Sequence, residues 1–149
     1  MDAIKVEALS AIDAARGSLV KLADELHANP EVGYQEHRSA TLLVDFLRAQ
    51  GFNVERPLGG LETAFRATLG ADEPAVALIA EYDALPGVGH GCGHNLIAAG
   101  AAGAAVGVAS VISQLEGTVV VMGTPAEEVL YEGPGKVRLL EAGAFDPVD

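Results

Sequence analysis

The sequence predicts an α/β fold of three layers built on a mostly parallel mixed sheet. Three observations predict it. Helical stretches with a three-to-four-residue apolar period alternate with short apolar runs of strand length. The segment from Ala75 to Met122 reads strand–helix–strand, a crossover that makes its two strands parallel and right-handed. Half of the 149 residues are hydrophobic, enough for one globular core.

The elements follow in order. Ile4, Ala8, Ile12, Ala15, Leu19, Leu22 and Leu26 share one face of a helix from about Ala3 to Leu26. Pro30 ends it by excluding Asn29 from helical geometry. A second helix runs from about Gln35 to Gln50, with Leu43, Phe46 and Leu47 inward and Gly51 capping it. Three strands are expected over Phe52 to Glu55, Thr63 to Leu69 and Ala75 to Ala80. The last is continuously apolar, as a strand buried on both faces would be. A helix over Asn95 to Gln114, a strand over Thr118 to Met122 and a short helix over Gly135 to Glu141 complete the chain. From Leu96 to Ser113 no residue is charged, so that helix has the length of a membrane span. Its Ala and Gly content, and the lack of aromatic or basic flanks, instead predict a buried helix.

Charge narrows the function classes. Nine Lys and Arg against 21 Asp and Glu give a formal net charge of −12. Nucleic-acid and anionic-membrane partners both require a basic footprint, so neither is expected, whereas a cation site is compatible. The single cysteine, Cys92, rules out an internal disulfide, and Met1 to Leu9 lacks the pattern of a signal peptide. A cytoplasmic location is the resulting expectation.

Two segments carry chemistry, each just past a strand of the parallel pair, where open α/β sheets bind ligands. The first contains Glu81-Tyr82-Asp83-Ala84-Leu85-Pro86 and then His90-Gly91-Cys92-Gly93-His94-Asn95. In extended backbone His90, Cys92 and His94 would face one side. Thiolate and imidazole suit zinc, and imidazole suits other divalent first-row metals. A Gly-rich turn around a buried thiol is the plainer reading. The concentration of the only cysteine and two of four histidines within five residues favours the metal. The second segment is Thr124-Pro125-Ala126-Glu127-Glu128. These acids could be a solvated loop, or one could bind metal while its neighbour serves as general base. Asp83 could bind metal, orient a ligating histidine or cap the following turn.

Together these segments, with His27-Ala28-Asn29-Pro30-Glu31 and Glu141-Ala142-Gly143, resemble the M-twenty metallopeptidases, in family order from about His27 to Phe145. The cysteine-containing branch of aminoacylases, amidohydrolases and dipeptidases is the nearest resemblance. It implies a zinc-peptidase-like catalytic domain in which Cys92, His94 and Glu128 ligate metal, Glu127 is the general base and Asp83 supports the site. It further implies zinc or manganese, with cobalt also accepted, and two ions in a full-length parent. The implied substrates are N-acyl amino acids or small dipeptides. Family members are much longer, so residues 1–149 are expected to be the N-terminal part of the catalytic domain, lacking the dimerisation domain and the C-terminal part. On that expectation the piece is inactive alone, and pairing of copies into a homo-oligomer would cover its cut sheet. Two other readings stand beside this one. One is a non-catalytic remnant serving in assembly or binding. The other is a cysteine hydrolase with Cys92 as nucleophile and His90 or His94 as base, which chelators would not inhibit.

Overall fold

The computed structural model describes residues 2–129, 131, 133–146 and 148–149. Helix α1 spans Ala3–Ala28 and α2 spans His37–Ala49. Strands β1 (Asn53–Glu55), β2 (Phe65–Gly70) and β3 (Ala75–Ala80) follow. Helix α3 (His94–Val111) continues as a single 3-10 turn to Gln114 and leads into β4 (Thr118–Gly123); α4 covers Gly135–Glu141.

The strands form one open mixed sheet in the order β1-β2-β4-β3. The crossover through α3 makes β3 and β4 parallel neighbours, in register from Ala75 opposite Thr118 to Ala80 opposite Gly123. The pairs β1·β2 and β2·β4 are antiparallel, so among the described strands the parallel pairing is the minority. The short link between β1 and β2 allows only a hairpin-like return, since a parallel return needs a long crossover.

Helices α1, α2 and α3 cover one face of the sheet. Leu22, Leu26, Leu43, Leu47, Phe65, Tyr82 and Val121 make the main core there. On the opposite face Leu58, Val120, Met122 and Leu139 form a smaller cluster under α4. Helix α3 is the core element expected from its composition. Together with its 3-10 turn it is long and apolar enough to cross a membrane, yet it packs on α1 and the sheet. Its glycines permit the approach: a Cβ on Gly107 would meet Ile12 at 2.8 Å, and one on Gly103 would meet Leu19 at 3.2 Å.

The burial expected for β3 is incomplete among the described residues. β3 lies at the end of the sheet, and Val76 is 57% and Ile79 37% exposed. A continuous apolar run cannot by itself distinguish a central strand from an edge strand, because neighbours supplied elsewhere decide which it is.

The turn between α1 and α2 is built by its motif residues. Asn29 leaves helical geometry before Pro30, with φ −131° and ψ 64°. The Glu31 carboxylate then accepts the backbone N–H of Arg38 at 3.1 Å and of Ser39 at 2.7 Å, satisfying orphan donors of α2. The Glu31 carbonyl accepts Ala84 N–H at 2.8 Å. That bond ties the α1–α2 turn to the segment that carries Asp83.

Candidate metal centre

β3 ends at Ala80 and β4 at Gly123, side by side at the C-terminal edge of the parallel pair. The chain leaving β3 runs through Glu81, Tyr82 and Asp83. The chain leaving β4 runs through Thr124 to Glu128, and α3 begins between them with His94 as its first residue. Three elements far apart in sequence thus deliver their polar side chains to one place.

His94 is the centre of the arrangement. It is 3% exposed, and its Nδ1 lies 2.9 Å from both the Asp83 carbonyl and Asp83 Oδ1. Both partners are acceptors, so Nδ1 carries a proton, and Nε2 is the ring nitrogen left to face a metal. Asp83 is fully buried, and its second oxygen accepts Glu128 N–H at 3.0 Å. Of the three roles open to Asp83, orienting the histidine is the one this geometry supports. Around Nε2 stand Glu81 Oε2 at 3.7 Å, Glu127 Oε2 at 3.8 Å and Glu128 Oε1 at 4.0 Å.

Cys92, His94 and Glu128 offer a sulfur, a nitrogen and an oxygen all within 4.8 Å of one another. In a tetrahedral zinc site with bonds of about 2.0–2.3 Å, ligand atoms lie roughly 3.3–3.8 Å apart, so a small closure makes this set a three-point site. The donor chemistry fits a divalent ion. Burial, with Glu128 beside it, pushes the Cys92 thiol above its ordinary range.

The expected row of His90, Cys92 and His94 does not form. Gly89 and Gly93 take left-handed φ values of 79° and 80°, so the segment turns and side chains no longer alternate. His90 instead stacks on His27 with ring centroids 6.5 Å apart and is not part of the three-residue cluster. Burial lowers its pKa.

Sequence reasoning missed three residues. Glu81 reaches Nε2 as closely as Glu127 does; as the first residue past β3, it lies at the sheet edge where ligands are expected. Lys136, from α4, pairs with Glu81 Oε1 and lies 3.8 Å from Glu127 Oε1. Nothing in the pattern signalled a contact across 55 residues. Glu36 is fully buried, and its Oε1 accepts Ala126 N–H at 2.8 Å. Ala126 holds a left-handed φ of 55°, uncommon for a residue with a side chain, and this bond secures it next to the two glutamates.

Burial, reinforced by the nearby Asp83 charge, raises the Glu36 pKa. A carboxyl raised above its unfolded value contributes stability below that value and loses it as pH rises through the folded one. Glu36→Gln keeps an oxygen acceptor for Ala126 without the ionisation. Its unfolding midpoint is therefore expected to exceed wild type at pH 7–8, with the difference vanishing near pH 4, as thermal melts across that range will show.

A mixed α/β domain with a Cys–His–Glu set at the C-terminal edge of its parallel strands defines a candidate metal-binding catalytic scaffold. The model of peptidase family M20/M25/M40 matches residues 77–149. The Xaa-Arg dipeptidase of Mus musculus is 40% identical over all of this chain and 37% of its own length. The Xaa-Arg dipeptidase of Homo sapiens is 38% identical, again over all of this chain and 38% of its own. Among solved structures, a Bacillus subtilis protein described as a dinuclear metal binding peptidase superposes with a TM-score of 0.82 at 27% identity. That match covers 92% of this chain and 42% of the other. Residues 77–149 thus match the M20/M25/M40 peptidase family, and the chain spans less than two-fifths of the length of these curated relatives.

Proposed function

We propose that this chain carries the nucleus of a metal-dependent amidohydrolase site acting on N-acyl amino acids or small dipeptides. The observation that carries the reading is the convergence of Cys92, His94 and Glu128, with His94 locked by Asp83 so that Nε2 faces the cluster. A divalent ion, zinc or manganese or cobalt, supplies Lewis acidity and an acidified water when bound there. Glu127 is the general base: its Oε2 points to the same place as Nε2, positioned to take a proton from the attacking water and return it to the departing amine. Cys92, His94 and Glu128 hold the ion, and Asp83 fixes the imidazole. A cleft of about 370 Å³, lined by Val32, Tyr34, Asp83, Glu128 and Val129, opens beside the cluster and gives a small substrate access. A second ion and the substrate's side-chain pocket belong, on this reading, to the rest of a longer protein in the cytoplasm.

Metal content after incubation with zinc or manganese and desalting tests the proposal. About one ion per chain is expected, lost in Cys92→Ala and His94→Ala and removed by a chelator. No retained ion in the unaltered chain would favour the assembly-module reading.

A further inference from the structure

The two oxygens of Glu127 have different surroundings, and so do those of Glu81. Glu127 Oε2 and Glu81 Oε2 lie 3.8 Å and 3.7 Å from the same atom, His94 Nε2. Their other oxygens both face Lys136: Glu81 Oε1 is hydrogen-bonded to its Nζ, and Glu127 Oε1 lies 3.8 Å from it. One ammonium thus addresses the outer oxygens of two carboxylates whose inner oxygens point at one imidazole nitrogen. Lys136 is partly buried, at 34% side-chain exposure, and stands on α4, whose first residue Gly135 donates its N–H to the Ala126 carbonyl. The lysine is therefore fixed by the same loop that presents Glu127 and Glu128.

We propose that Lys136 is a positioning residue: it grips the outer oxygens of Glu81 and Glu127, fixes their inner oxygens toward the ion position before His94 Nε2, and makes Glu81 a further carboxylate of that site. This rests on the metal-site reading above. A lysine placed only for charge balance would oppose cation binding, because like charges repel. A lysine that pre-orients two donors would promote it. The two roles predict opposite signs for its removal.

Cobalt(II) titration of the 149-residue chain, read by visible absorption, separates them. In Lys136→Met the thiolate-to-cobalt band from Cys92 is expected to persist while affinity falls about tenfold, the low end for loss of a group supporting metal ligands. The ligand-field bands should change shape, and Lys136→Arg should restore both. Glu81→Gln should produce the same loss, and adding Lys136→Met to it should weaken binding by less than the sum of the two. Unchanged or tighter cobalt binding in Lys136→Met would overturn the proposal. If the unaltered chain binds no cobalt, the metal-site reading itself fails. The clamp is then judged in the metal-free chain by the carboxyl carbon-13 resonances of Glu81 and Glu127. Both must shift in Lys136→Met and return in Lys136→Arg, and resonances that stay put sink it.

Discussion

Asp83→Asn is expected to weaken divalent-metal binding by about 10–100-fold, the usual cost of removing a partner that orients a metal-bound histidine. The substitution is nearly isosteric, but its hydrogen-bond inventory is wrong. Asp83 Oδ1 accepts from His94 Nδ1 and Oδ2 accepts from Glu128 N–H, so both oxygens act as acceptors in a fully buried position. An asparagine has one acceptor and one N–H₂. Whichever way the amide turns, a donor faces a donor. With the amide oxygen toward His94, Glu128 N–H loses its partner and the loop carrying the glutamate loosens. With the amide oxygen toward Glu128, only the Asp83 carbonyl remains to hold the imidazole. A buried unsatisfied donor costs about 1–3 kcal/mol, so urea unfolding should show a loss of that size alongside the weakened binding measured by calorimetry. An affinity equal to wild type in a well-folded Asp83→Asn would mean that the imidazole needs no carboxylate.

Gly135→Ala should be among the most damaging single-methyl additions in the protein, at about 3 kcal/mol or more in urea unfolding. A Cβ there would lie 1.9 Å from the Pro125 carbonyl oxygen, and the obstacle is backbone. Relief requires moving either α4 or the Pro125–Ala126 turn, and the latter carries Glu127 and Glu128. Metal affinity should therefore fall with stability. Gly17→Ala provides the contrast, since nothing lies within 4 Å of its Cβ position on the exposed side of α1. It should stabilise by roughly 1 kcal/mol through helix propensity alone. A Gly135→Ala protein as stable as wild type would show that the loop is slack.

Much of this architecture was legible because it is local. β3 and α4 begin and end where the apolar run and the capping residues put them, at Ala75–Ala80 and Gly135–Glu141. The crossover rule then placed Asp83, His94 and Glu128 at one sheet edge without any knowledge of distances. What failed depended on backbone path or on neighbours. His90 was grouped with Cys92 and His94 on the assumption of extended backbone, which the left-handed Gly89 and Gly93 remove. The edge position of β3 is set by the sheet order, not by the strand's own residues. Lys136 could not be read at all, because its meaning lies in a tertiary contact with Glu81.

The small side chains of α3 have a consequence for how firmly His94 is held. Ten residues of this helix are buried: besides His94 and Asn95 they are four alanines, two glycines and two valines. Alanine and glycine have no rotamers to lose on burial, so freezing this helix into the core immobilises few torsions per unit of contact. Few side-chain torsions therefore remain among the buried residues of this helix. The histidine thus stands on a helix with few side-chain torsions of its own, and the Asp83 bond fixes its ring.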